Sequence, residues 1–184
     1  MLVHGAAGGV GTAAIQVAKG LGASLVIAVV SNDDKEAIAR EAGADEVVRS
    51  DGAWREQAVE LSDGGVDVVL DPVGGDRFTD SLRSLREDGR VVVVGFTAGS
   101  IPEVKVNRLL LRNTEVVGAG WGAYAMGRPQ LNREIGEALE AMVRDGVVRP
   151  LVGARYPLAR AADAMGLIDE RRATGKVVLD VRGE

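Results

Sequence analysis

Short apolar runs and longer amphipathic stretches alternate along the whole chain. Met1–His4 reads as a short strand. Val10–Leu21 places Val10, Ala13, Ala14, Val17, Ala18 and Leu21 on one stripe of helical period, which predicts a helix closed by Gly22. Ser24–Val30 is nearly all apolar, the pattern of a parallel strand covered on both faces. Asp33–Ala42 predicts a second helix stopped by Gly43, Glu46–Val48 a short strand, and Trp54–Leu61 a third helix. Val66–Leu70 predicts a strand ending in Asp71-Pro72-Val73-Gly74-Gly75. Phe78–Leu85 then reads as a helix, Arg90–Val94 as a buried strand, Asn107–Arg112 as a short helix and Thr114–Ala119 as a sixth strand. Gly120–Pro129 is expected to be a loop, and Leu131–Arg144 an amphipathic helix. The pattern closes with a strand near Leu151–Tyr156, a helix over Leu158–Arg171 and a strand over Lys176–Val181. Strands alternating with helices predict βαβ units, a parallel sheet and right-handed crossovers. No internal repeat and no linker interrupts the pattern. A core strand that begins at Met1 without lead-in reads as a chain starting inside something larger.

Composition narrows the function classes. The 184 residues are 46% apolar and 27% charged, ordinary for a globular domain. Glycine is the outlier, with 25 residues, about twice its usual share of roughly 7%. A net charge of −5 and six aromatic residues argue against a phosphate-backbone binder or a base-stacking platform, so no nucleic-acid partner is expected. There is no cysteine and one histidine, His4, which excludes disulfides and a Cys/His zinc site. A reducing, cytoplasmic setting is compatible with this. No apolar run approaches the ~18 residues of a membrane span, and no secretory leader is evident.

The glycines concentrate where chemistry is expected. Val3-His4-Gly5-Ala6-Ala7-Gly8-Gly9-Val10-Gly11 leaves a strand and opens a helix, the context a dinucleotide fingerprint requires, although Ala6 stands where the first glycine of G-x-G-x-x-G would be. Gly8 would let backbone approach a pyrophosphate, Gly11 would let helix pack on strand, and the helix N-terminus favours the anion. At the end of the second strand no acid stands ready for a ribose 2′-hydroxyl. Ser31 and Lys35 could instead hold a 2′-phosphate, with Arg49 adding charge, while Asp33 and Asp34 oppose it. This favours NADP (as NADPH) and leaves NAD possible. Asp71-Pro72-Val73-Gly74-Gly75 and Gly95-Phe96-Thr97-Ala98-Gly99 follow strands at their carboxyl ends, the side where ligands bind in such sheets. Asp71, Val73, Gly95, Phe96 and Thr97 are therefore candidates for the nicotinamide side. Each loop also reads as a plain turn, with Asp71 as a helix cap. No catalytic constellation and no metal site emerges. His4 reads as a structural histidine.

These residues resemble a known family. VHGAAGGVGTAAIQVAKGLGA at 3–23, GADEVV at 43–48, VDVVLDPVGG at 66–75, GRVVVVGF at 89–96 and ATGKVVLDV at 173–181 are similar to the coenzyme-binding part of the medium-chain dehydrogenase/reductase superfamily, in its zinc-free quinone oxidoreductase branch. The resemblance implies a Rossmann-type, doubly wound α/β sheet of about six parallel strands with helices on both faces, plus a C-terminal strand–helix–strand appendage. It implies NADPH as cofactor, with the pyrophosphate turn on Ala7, Gly8, Gly9 and Val10, the 2′-phosphate pair on Ser31 and Lys35, and nicotinamide-side loops at Val73 and Phe96–Thr97. Where the family often has a tyrosine this chain has Ser50. By this resemblance the family's N-terminal GroES-like domain is expected to be absent from the chain. Residues 1–150 are expected to be the NAD(P)-binding domain, and 151–184 a segment that in the family returns to the GroES-like domain.

The expected function is hydride transfer from NADPH to a quinone, enone or enoyl thioester in a zinc-independent enzyme, inactive without the other domain. The alternatives are a non-enzymatic cofactor-binding module and a small stand-alone reductase. The sixth strand is expected at a sheet edge, where it would join a homodimer.

Overall fold

The computed structural model describes residues 1–181. Its elements run β1 (Leu2–Val3), α1 (Gly9–Gly20), β2 (Ile27–Val30), α2 (Asp33–Glu41), β3 (Glu46–Arg49), α3 (Trp54–Leu61), β4 (Val66–Asp71), α4 (Phe78–Arg83), β5 (Leu85–Val93), α5 (Asn107–Leu110) and β6 (Glu115–Gly118). Then follow α6 (Trp121–Met126), α7 (Pro129–Arg144), β7 (Val152–Pro157), α8 (Ala161–Asp169) and β8 (Lys176–Asp180). The first six strands form one parallel sheet in the order β3-β2-β1-β4-β5-β6. The chain winds outward from β1, then crosses back to lay β4 on the other flank, so the order reverses between β1 and β4. That gap is where ligands bind in such sheets.

The continuous apolar runs are explained by two cores, one on each face. Leu2, Ile27, Val69 and Val91 pack with Trp54, Ala58, Phe78 and Leu82 of α3 and α4. Val3, Ala28 and Val30 pack on the opposite face with Ile15, Ala18 and Ala39 of α1 and α2. Alternate residues of one strand serve opposite faces, so the strand shows no polar side.

Two local expectations are corrected. The helix begun at Phe78 stops at Arg83, because Leu85 is fully buried and pairs with Val66 at the start of β5. The ladder then breaks register before Val68 meets Arg90, around a turn in which Asp88 takes a positive φ of 60°. Within the expected loop Gly120–Pro129, Trp121–Met126 form a short helix, since Ala125 is buried and Tyr124 N–H donates to Gly120 O at 3.2 Å. The glycines there suggested a turn, and local burial overrode them.

The C-terminal segment forms a separate parallel pair, β7–β8, with α8 alongside. This segment and the residues leading into it meet the sheet unit at several points. Gln16 and Arg149 exchange two hydrogen bonds of 2.8 Å, the side-chain amide imitating a strand neighbour. Gly175 N–H donates to Ala7 O at 2.7 Å, and Leu151 packs into the second core. Its α8 side leaves Leu158, Met165 and Ile168 exposed. The last residues of the expected 151–184 segment, 182–184, lie outside the described residues.

Candidate functional site

The glycine-rich turn sits at the switch point, and its glycines meet different surroundings. A methyl group on Gly11 would lie 2.6 Å from Ala6 Cα and nearer still to Gly5 O, so the approach of α1 to its own turn requires glycine there. A methyl on Gly9 would lie 3.0 Å from the Lys176 side chain and 3.1 Å from Gly175 O. Gly8 differs from both. Its φ of −81° suits any residue, and a methyl there would meet only Gly5 O, at an ordinary 3.4 Å. Nothing in the protein requires the missing side chain at Gly8. The N–H groups of Val10 and Gly11, at the start of α1, carry no partner among the described residues. A cradle that a Cβ would narrow, beside unpaired N–H donors at a helix N-terminus, suits a phosphate anion.

At the end of β2, Lys35 Nζ lies 3.1 Å from Ser31 Oγ, so the structure brings these two candidates together. Asn32 caps α2 by accepting from Lys35 N–H at 2.9 Å, which holds the lysine on the first turn. Arg49 is placed differently from its expected role. Its Nη2 donates to Asp33 at 2.5 Å and to Glu36 at 2.6 Å, so its charge is spent on carboxylates of α2. The same contacts tie down Asp33, one of the acids expected to oppose a phosphate.

On the other side of the switch point, two loops are stitched together. Asp71, fully buried, accepts through Oδ1 from Val73 N–H at 2.8 Å and Gly74 N–H at 2.9 Å. Pro72 O accepts from Thr97 N–H at 3.1 Å, and Val73 O from Ala98 N–H at 2.9 Å. Val73 and Pro72 lie over Gly5, whose added methyl would be 3.4 Å from Val73 Cγ2. Asp71, Val73, Gly95, Phe96 and Thr97 therefore form one rim beside the glycine turn, with Phe96 and Thr97 open to solvent.

His4 is buried beneath this rim, edge-on to Trp54 at a centroid distance of 4.9 Å and 2.8 Å from Ser81 Oγ through Nε2. Burial drives its pKa down from 6.5 to about 4; Asp71 opposes the shift and Arg77 adds to it. The ring is neutral at physiological pH.

Three residues at this site had no signal in the periodicity: Arg171, Gly175 and Lys176. Lys35 Nζ donates to Arg171 O at 3.1 Å, and Arg171 Nη2 to Thr97 O at 3.3 Å. Lys176 lies over Gly9. They come from the far end of the chain, and only the return of β8 over the turn assembles them there. Among the described residues no group of three or more His, Cys, Asp and Glu side chains is arranged to hold a metal ion.

The profile of the zinc-binding dehydrogenase family matches residues 9–143, most of the chain. The chain belongs to that family. It is the coenzyme-binding part of the medium-chain dehydrogenase/reductase superfamily, in the quinone oxidoreductase branch. It is 40% identical over 185 residues to quinone oxidoreductase-like protein 2 of Bos taurus, covering 99% of this chain and 53% of that protein. Among solved structures, a probable oxidoreductase from Mycobacterium abscessus superposes with a TM-score of 0.85 at 41% identity, over 98% of this chain and 53% of that one. The Escherichia coli quinone oxidoreductase complexed with NADPH superposes at 0.86 with 32% identity, over 98% of this chain and 56% of that one. The chain thus spans about half the length of the curated relatives it matches. This family membership agrees with the six-stranded Rossmann-type sheet and with the appended strand pair.

Proposed function

We propose that this chain is the NADPH-binding part of a zinc-independent oxidoreductase that reduces a quinone or enone, and that it needs the other half of such an enzyme for turnover. Gly8 carries this reading: the fold leaves it free to bear a side chain, and it has none. The pyrophosphate rests on Ala7, Gly8, Gly9 and Val10, held by the open N–H groups of α1 and by the Lys176 ammonium. Ser31 and Lys35 receive the 2′-phosphate as hydroxyl donor and cation. Arg49 contributes indirectly, by neutralising Asp33 and Glu36. The rim of Asp71, Val73, Gly95, Phe96 and Thr97 faces the nicotinamide.

When bound, the cofactor supplies the hydride, and no residue of this chain is assigned as proton donor. The chain's own groups bind and orient. The solvent-open Phe96–Thr97 rim excludes no water and shapes no substrate pocket by itself, which supports a need for a second domain. Residues 1–150 are the cofactor domain, and 151–184 the segment that meets the other domain of such an enzyme. The working form is a cytoplasmic homodimer joined through β6, a placement compatible with the absence of cysteine; no helix among the described residues is long and apolar enough to cross a membrane.

The deciding experiment is a calorimetric titration of the chain with NADPH and with NADH at fixed salt. NADPH is expected to bind saturably and more tightly than NADH, and Lys35→Ala to erase most of that preference. A chain that binds neither sinks the cofactor assignment. Equal loss for both nucleotides in the Lys35 variant removes the 2′-phosphate from that corner.

A further inference from the structure

The C-terminal segment meets the cofactor side of the sheet at three separate places. At the glycine turn, Gly175 N–H donates to Ala7 O at 2.7 Å, and Gly8 and Gly175 form an isolated parallel bridge. At the end of β2, Lys35 Nζ donates to Arg171 O at 3.1 Å. Beyond β5, Arg171 Nη2 donates to Thr97 O at 3.3 Å. The three places follow β1, β2 and β5, so they lie on both sides of the switch point. A dinucleotide laid across the carboxyl ends of the strands takes the same line.

Arg171 is an unusual residue for its position. It follows α8 in the left-handed region, with a φ of 57°. Its N–H donates to Ile168 O at 2.9 Å, and the N–H of Arg172 to Leu167 O at 3.1 Å, the paired bonds of a Schellman helix end. Glycine is the usual residue there, because a side chain makes that backbone conformation costly. Arginine forfeits this ease, and what it supplies instead is a guanidinium on Thr97. Its carbonyl meanwhile takes Lys35, so one residue is tied to both walls of the cleft. Lys35 has three N–H donors. Two serve Ser31 Oγ and Arg171 O, which leaves one for a 2′-phosphate, so the lysine can hold the anion and the tie together.

We propose that residues 171–176 are a strap closed across the cofactor cleft, that Arg171 is its two-ended fastener, and that cofactor occupancy and closure of the strap are thereby coupled. Arg171 is a positioning residue here, acting through Lys35 and Thr97. A cofactor that fills both ends of the cleft holds Lys35 and the Thr97 loop in place, and so keeps the strap shut. The coupling is reciprocal: what NADPH adds to closure, closure adds to the affinity for NADPH. The strap runs directly into β8, so occupancy of the cleft is felt in the β7–β8 pair. The coupling rests on the cofactor reading above; the fastening itself does not.

Arg171→Gly separates the two halves of the residue. Glycine keeps the left-handed cap and the carbonyl for Lys35, and only the tie to Thr97 is lost. The variant is expected to unfold at a urea concentration no lower than the parent. In the unliganded chain, amide exchange at Thr97 and Ala98 is expected to quicken about threefold or more. Unchanged exchange there overturns the fastener. The ligands are then NADPH and adenosine 2′,5′-bisphosphate, which fills the adenosine end alone. NADPH is expected to slow exchange at Gly175 and Lys176 about tenfold in the parent, and the bisphosphate to leave it as it was. Arg171→Gly is expected to weaken NADPH about threefold or more and to lose most of that protection, with the bisphosphate bound as in the parent. Protection indifferent to NADPH, or NADPH affinity indifferent to the variant, overturns the coupling. Equal weakening of both ligands puts the guanidinium on the phosphate instead of on Thr97 and overturns the strap. If Arg171→Gly does not fold, Arg171→Asn carries the same comparison, since asparagine also tolerates that backbone and is too short to reach Thr97. A parent chain that binds no NADPH counts against the cofactor reading alone, and exchange at Thr97 and Ala98 still decides the fastener.

Discussion

Adjacent glycines in one turn answer to different physical demands. At Gly11 the demand is internal, because backbone atoms of Gly5 and Ala6 occupy the space of a side chain. Gly11→Ala must push α1 away from its turn, and a loss of about 2 kcal/mol or more in urea unfolding is expected. At Gly8 the backbone is ordinary and the neighbourhood open. Gly8→Ala is therefore expected to stay within about 0.5 kcal/mol of the parent in stability, while NADPH affinity drops at least about tenfold. A Gly8 variant that binds as tightly as the parent would move the pyrophosphate elsewhere.

Among the elements, β6 stands out for its exposure. All four of its residues are exposed, with Val116 and Val117 each at 38%, and among the described residues it pairs on one side only, with β5. An edge with free N–H and C=O groups and apolar side chains is a template for another strand. A second copy adding its own β6 would satisfy those groups and cover the valines. The chain is expected to sediment as a dimer at micromolar concentration and Val117→Lys as a monomer. A parent that remains monomeric on concentration would refute this edge as an interface. α7 presents the same question on a helix, since none of its residues is buried and Ile135, Leu139 and Val143 line its apolar side.

For the molecule as a whole, the single histidine makes stability depend on pH in a known direction. Folded His4 takes a proton only near pH 4, whereas the unfolded chain takes it near 6.5. Between those values the unfolded state binds more protons, so stability rises with pH and falls as pH drops from 6.5 toward 4. The full effect of such a shift is on the order of 3 kcal/mol. Urea unfolding across that window is expected to show this slope in the parent and a shallower one in His4→Asn. Identical slopes would mean that His4 is not a buried neutral group.

The alternation of elements, the two-faced burial of the strands and the glycine turn were legible in the residues themselves, because period, apolar runs and turn chemistry are local properties. The same holds for Ser31 with Lys35, four residues apart on one helix start. The boundary at Leu85 was not legible, since a buried leucine suits a helix or a strand until Val66 pairs with it. Nor was the partnership of Arg49 with Asp33 and Glu36, which needs β3 beside α2. The presence of Arg171, Gly175 and Lys176 over the turn depends on a return across most of the chain's length. Local chemistry thus determined the glycine turn proposed here for a cofactor, and long-range strand pairing alone decided which distant side chains surround it.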